Sequence, residues 1–273
     1  MIASMIIVFR EVLEMALVLG VLLAATQGAK RSRRWIGGGI MAGLLGAIIV
    51  AVFMGELESS MQGDGEFLFN AIVLALAALL IAWTVIWMAQ HGRELTMRMK
   101  QVGQSVVQGE LPGTALFVVS LAAVMREGSE AVFFLFGAAQ VGSQDGWSML
   151  WGGLMGLALG IVVGFVIYRG LIRIPVKYLF FVVGGLLTLL AAGMASQSAS
   201  YLIMVDMIPP IIDTVWDTSS WLSMESIFGE LLHILMGYDD KPSAMQLLVF
   251  VSFVIVVMAL KYRSEHQVSF QSK

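Results

Sequence analysis

MIASMIIVFREVLEMALVLGVLLAAT, residues 1–26, carries three charges inside an otherwise apolar run. A helix that crosses a bilayer needs about 20 mostly apolar residues. Nine residues precede Arg10 and twelve apolar ones follow Glu14, so neither flank is long enough alone. If the segment spans, Arg10, Glu11 and Glu14 lie near its middle. Residues 114–139 pose the same problem: Thr114–Met125 precedes Arg126, Glu127 and Glu130, and Ala131–Ala139 follows. Charges at that depth cost a few kcal/mol each on insertion scales. Two charged pentads in such positions need a functional reason.

Composition agrees with a membrane protein. Of 273 residues, 59% are hydrophobic and 13% charged, against about 25% charged in soluble domains. There is no cysteine, which excludes disulfides, thiolate metal sites and cysteine nucleophiles. A net charge of −3 gives no reason to expect a nucleic-acid partner. The N-terminus lacks the basic region of a cleaved signal peptide, since its first cation is Arg10, and it is read as a helix that stays in the membrane.

Seven windows can span: about 2–27, 35–55, 68–90, 114–138, 147–168, 178–200 and 244–260. Sorting the basic residues by loop then fixes an orientation. Lys30, Arg31, Arg33, Arg34, Arg93, Arg98, Lys100, Arg169, Arg173, Lys177, Lys261, Arg263 and Lys273 fall on one side, and Lys241 alone on the other. The excess of positive loops marks the cytoplasmic side, so the N-terminus is expected outside and the C-terminus in the cytoplasm. The acidic residues mirror this. Glu56, Glu58, Asp64 and Glu66 lie in the first outer loop, Asp145 in the second, and Asp206, Asp213, Asp217, Glu225, Glu230, Asp239 and Asp240 in the third. An acidic outer face steers cations inward. Glu58, Asp64, Glu66, Asp213 and Asp217 are candidates for an outer entrance, and Glu230 is a further one. The third outer segment, Tyr201–Ser243, is too polar to span, and its partly amphipathic Trp221–Met236 stretch predicts one or two short interfacial helices. The tail Val268–Lys273 is polar and is expected to be disordered.

Within each pentad, Glu11 and Glu14, or Glu127 and Glu130, are three residues apart and share a helix face. Each Arg lies four residues before its second Glu and can reach it. Two such helices face to face gather four carboxylates and two guanidiniums, a formal −2. A structural clamp would balance its charges, because unpaired buried charge is strongly unfavourable. Multiply anionic, all-oxygen coordination instead suits hard cations. The 19 Met are spread through the spans and read as core filler. A membrane di-iron redox enzyme would pair Glu with Glu-x-x-His, yet His91, His233 and His266 follow neither pentad. A sensor or scaffold held by sealed Arg–Glu pairs is a third reading. Gln90 and His91, near the cytoplasmic end of the third span, read as a satisfied helix end or an exit lining.

The pentads are 116 residues apart, 10 to 126, with three spans per unit. An odd number of spans inverts the second unit, and inverted repeats with a midplane site are a recurring transporter plan. Small residues at intervals of four support the pairing: Gly39, Gly43, Ala47, Ala51 and Gly55 in the second span, Gly152, Gly156, Gly160 and Gly164 in the fifth. The expected architecture is therefore an all-α integral membrane protein, a 3+3 inverted repeat plus an extra C-terminal helix. It forms one permease domain: repeat 1 about 1–100, repeat 2 about 113–200, the outer segment 201–243 and the last span about 244–260.

Phe-Arg-Glu-Val-Leu-Glu at 9–14 and Met-Arg-Glu-Gly-Ser-Glu at 125–130 resemble the doubled Arg-Glu-Gly-x-Glu signature of the oxidase-dependent high-affinity iron permeases, including their bacterial ferrous/ferric branch. Leu222-Ser223, Ser226, Phe228-Gly229, Gly237-Tyr238 and Pro242-Ser243 also look like that family's pattern. Val12 stands where the family's first motif carries Gly. The resemblance implies ferric iron, or ferrous iron after oxidation, as the transported substrate, with no permanently bound cofactor and an inner-membrane location. It also implies a periplasmic iron-binding protein and an oxidase or peroxidase as partners. Relatives associated with lead uptake leave the metal open. Position by position, Glu11, Glu14, Glu127 and Glu130 inherit the ligand role, and Arg10 and Arg126 a supporting one.

Overall fold

The computed structural model describes residues 1–27, 29, 31–60, 66–141, 146–168, 176–224 and 226–271. All regular structure among them is helical: α1 (Ile2–Ala25), α2 (Ser32–Ser60), α3 (Glu66–Val107), α4 (Thr114–Val141), α5 (Gly146–Tyr168), α6 (Val176–Met204), α7 (Ile227–Met236) and α8 (Ala244–Gln271). Five of these contain stretches long and apolar enough to cross a membrane: Ser32–Leu57, Glu66–Trp87, Gly146–Tyr168, Val182–Met204 and Ala244–Arg263. Helices α1 and α4 have the length, 24 and 28 residues, and carry the charged pentads.

Burial divides the bundle into inner and outer helices. The spanning windows of α3 and α6 are each 56% buried, those of α2 and α5 only 22%, and that of α8 11%. The core joins α1, α3, α4 and α6 through Ile7, Leu74, Ile81, Phe134, Leu187 and Met194. The outer helices turn large apolar residues outward, among them Leu45, Ile49 and Phe53 on α2, Trp151 and Ile161 on α5, and Val251 and Ile255 on α8. Such a belt is stable only against lipid. The protein is a multi-pass membrane protein.

Glycine decides how two outer helices seat. On α5, a Cβ at Gly152 would collide with the Met1 carbonyl oxygen of α1, and one at Gly156 with that of Met5. On α2, a Cβ at Gly39 would lie 2.5 Å from the Phe117 carbonyl oxygen of α4, and one at Gly43 2.8 Å from Val124 Cβ. The glycine faces thus let backbones touch in lipid, where van der Waals packing drives association. α1 rests mainly on α5, α2 on α4, and α3 on α6.

Two elements outrun the sequence reading. α3 continues 20 residues beyond Trp87, the end of its apolar stretch, and does not stop near residue 90. The extension's polar composition suits water, with an exposed Arg98–Glu94 pair at 2.6 Å one turn apart. It packs against the end of α1, where a Cβ at Gly103 would meet Ala25 Cβ at 2.6 Å. α8 likewise runs to Gln271 and so includes Val268–Gln271 of the tail expected to be disordered; residues 272 and 273 lie outside the described residues.

The outer segment forms one short helix, α7. Ser226 caps its start, accepting from the Gly229 amide at 3.0 Å. Gly237 ends it at φ 66°, a left-handed conformation that favours glycine. A side chain there would also collide with Gly193 Cα of α6. His233 of α7 is buried, with Nδ1 2.6 Å from the Tyr238 carbonyl oxygen and Nε2 against that of Val141, the last residue of α4. This ties α7 to the α4 terminus.

Candidate metal centre between the paired motifs

Helical periodicity puts the charges of α1 on its buried stripe. Ala3, Ile7, Glu11 and Glu14 recur every three to four residues, and Arg10 borders them. On α4 the stripe is Leu116, Ser120, Val124, Glu127, Phe134, Ala138 and Val141, with Arg126 and Glu130 half-buried at its edge. The two stripes meet where α1 packs on α4.

In the first motif Arg10 is committed to both carboxylates. Its Nη1 donates to Glu11 Oε1 at 2.7 Å and its Nη2 lies 2.7 Å from Glu14 Oε1. In the second, Arg126 Nε donates to Glu130 Oε1 at 3.0 Å and stays 3.8 Å from Glu127 Oε1. The rest of its guanidinium lies over Trp87 of α3, with Cζ 4.5 Å from the ring centroid. Thr84, one turn earlier, donates from Oγ1 to Glu130 Oε2 at 3.0 Å.

Glu11, Glu14 and Glu127 converge. All three are buried, and one carboxylate oxygen from each lies within 4.8 Å of the others. Glu11 Oε2, Glu14 Oε2 and Glu127 Oε2 have no hydrogen-bond partner. Buried carboxylate oxygens left without donors are strongly unfavourable, and a cation between them would remove that cost. The oxygen-only donor set fits a hard metal ion. Glu130 is held at the rim by Thr84 and Arg126.

The outer candidates stand apart from this cluster. Glu66 opens α3 and is exposed, as are Asp213 and Asp217. Asp217 accepts from the Ser219 amide at 3.0 Å and from the Ser219 hydroxyl at 2.5 Å, and it pairs with Lys241 at 3.3 Å. The Ser219 hydrogen bonds, reinforced by Lys241, hold its carboxyl below the ordinary range. Asp64 and the side chains of Glu58, Glu230, Gln90 and His91 lie outside the described residues. Among the described residues, Glu11, Glu14 and Glu127 form the single acidic group within chelating reach.

Two residues of this cluster were missed in the sequence: Thr84 and Trp87. They stand inside an apolar run, where a threonine reads as filler and a tryptophan as lipid-facing. Their three-residue spacing, which puts them on one face of α3, was the available signal.

Apolar outer helices around a buried carboxylate cluster define a membrane protein whose charged centre fits a cation. Comparison with known proteins sharpens this class. Residues 1–264 match the Iron permease FTR1 family. The chain is similar to the ferrous iron permease EfeU of Escherichia coli O157:H7, 31% identical over 266 residues that cover 95% of this chain and 94% of the relative. The ferrous iron permease EfeU of Shigella sonnei gives the same values. That of Shigella flexneri is 31% identical over 212 residues, covering 77% and 88%. No solved structure matches. The chain belongs to the iron permease FTR1 family. It is a transporter and not an enzyme, and iron is its substrate.

Proposed function

We propose that the chain moves iron across the inner membrane through one site shared by its two halves, with Glu11, Glu14, Glu127 and Glu130 as ligands. The observation that carries this is the convergence of three buried carboxylates from α1 and α4, each with an oxygen that has no hydrogen-bond partner. Arg10 holds the Oε1 atoms of Glu11 and Glu14 and leaves their Oε2 atoms to the ion. Arg126 and Thr84 hold Glu130 beside it. A trivalent ion changes the formal site charge from −2 to +1, so binding favours movement of a guanidinium away from the carboxylates. Iron is cargo in this scheme and not a resident cofactor.

Seven spans arranged as a 3+3 inverted repeat fit the helix pairing. Exchanging α1 with α4, α2 with α5 and α3 with α6 turns the α1–α5 contact into α4–α2 and leaves α3–α6 as it is. The glycine ladders repeat in register, with Gly39 against Ser120 and Gly152 against Ser4. Ser4 and Ser120 are 116 residues apart, the same offset as the motifs. This register also explains Val12: its Cβ side faces Gly160, whereas Gly128, its counterpart on α4, faces Ala47. Each half places one larger side chain against a glycine, from opposite helices.

The asymmetry of the basic loops supports an N-terminus outside and a C-terminus in the cytoplasm. Ferrous iron would then be oxidised and handed over by an oxidase or peroxidase and a periplasmic iron-binding protein. Exposed acids such as Glu66 and Asp213, with Glu58, Asp64 and Asp217, would raise the local cation concentration at the outer face. The test is iron uptake in cells that lack other importers. Uptake should fall to background in Glu11→Gln and Glu127→Gln at equal membrane abundance, and undiminished uptake in either would overturn the ligand assignment. Lead(II) competition in the same cells reads the metal preference.

A further inference from the structure

The same five-residue motif adopts two states in this molecule. Arg10 is 3% exposed and spans both of its carboxylates; Arg126 is 35% exposed and grips one. Helical geometry does not impose this, since the spacing within each motif is identical. The difference is supplied by α3. Trp87 offers its ring face to the Arg126 guanidinium, and Thr84 satisfies the Glu130 oxygen that the guanidinium leaves. Among the described residues, no tryptophan stacks on Arg10 in this way.

We propose that Trp87 and Thr84 are positioning residues of the transport cycle: Trp87 is the seat that parks the Arg126 guanidinium toward Glu130 instead of across both carboxylates, and Thr84 holds Glu130 while it is parked. The inference rests on the iron site proposed above. Were Arg126 to fold across Glu127 and Glu130 as Arg10 does across Glu11 and Glu14, a second guanidinium would lie across the site. Its positive charge would then oppose entry of a cation from that side. A cation–π contact is worth about 0.5–2 kcal/mol, small enough for the guanidinium to leave and large enough to bias where it rests.

Sidedness follows from the helix directions proposed above. α3 runs inward and Trp87 ends its apolar stretch, so the seat lies on the cytoplasmic side of the glutamates. Arg126 precedes its glutamates on α4, which runs outward, and so lies on that side too. Arg10 precedes its own on α1, which runs inward, and lies on the outer side. The conformation thus has its outer guanidinium locked across its carboxylates and its inner one parked, the asymmetry expected of a state that exchanges its ion with the cytoplasm.

The test uses iron uptake by proteoliposomes containing the full chain, with apparent KM and maximal rate read separately. Trp87→Leu removes the ring face and should raise KM about three- to thirty-fold, the range expected for losing a cation–π contact. Trp87→Phe retains a ring face and should stay within about twofold of the parent. Thr84→Ser should behave like the parent, and Thr84→Val should raise KM. In an Arg126→Gln background, Trp87→Leu should add nothing. Equal KM values for Trp87→Leu, Trp87→Phe and the parent would overturn the seat. So would an additive effect in the Arg126→Gln background. If Trp87→Leu fails to fold, Thr84→Val, which preserves shape, decides the matter, and an unchanged KM in it overturns the assignment. A parent protein that transports no iron would instead remove the underlying site, a distinguishable failure.

Discussion

The α1 and α4 halves of the centre carry the same Arg-Glu-x-x-Glu spacing and differ in how the arginine is used. In α1 the guanidinium and both carboxylates are sealed, each side chain at most 3% exposed. In α4 the guanidinium is a third exposed, leans on Trp87 and hydrogen-bonds Glu130 alone. One half resembles a closed ion pair and the other an opened one. The lesson is that a repeated motif fixes which charges are present, and the helices packed around it fix which of them are free. For an alternating transporter, two halves in different states are what a single snapshot of the cycle should contain.

The largest expected effect separates the two arginines by stability. Arg10→Gln strands Glu11 and Glu14 in a dry interior, and breaking a buried pair costs about 3–5 kcal/mol. Arg126→Gln removes a partly exposed cation and should cost about 1 kcal/mol or less. Melting of the two purified variants in detergent checks this, with Arg10→Gln far lower. Equal melting points would break the comparison between the halves.

A smaller effect probes their packing. Gly160→Ala would bring a Cβ to 2.7 Å from Val12 Cγ1, and Gly128→Ala would bring one to 2.7 Å from Ala47 Cβ. Overpacking of this kind costs about 1–3 kcal/mol. Val12→Gly, which removes the Val12 Cβ 2.8 Å away as well, should relieve Gly160→Ala and leave Gly128→Ala unrelieved, read as thermal stability of the double variants. The reverse pattern would deny the matched register of α1–α5 and α4–α2. The smallest expected effect lies outside both halves: Arg98→Ala on the α3 extension should cost about 0.2–0.5 kcal/mol, since the Arg98–Glu94 pair is exposed.

Much of this arrangement was legible from residues. Glu11, Glu14 and Glu127 were readable because a charge inside the only apolar run of a segment has nowhere else to go. The glycine ladders were readable because small residues at intervals of four make a groove whatever fills it. The asymmetry was not readable, because identical motifs predict identical geometry and the difference comes from α3. Thr84 and Trp87 were hidden for the same reason: their role depends on a helix 46 residues away in sequence, the Thr84–Glu130 separation. The length of α3 was missed because a hydropathy window ends where apolar residues end, whereas a helix ends where capping or proline stops it. Here that point is Gly109, at φ 81°, just before Pro112.

The stoichiometry of iron bound to purified protein, titrated for the parent, Glu11→Gln and Glu127→Gln, tests whether the two motifs make one centre. A shared site predicts one high-affinity ion per chain, lost in both variants. Two ions per chain, with each variant losing only one of them, would contradict a site built jointly by α1 and α4.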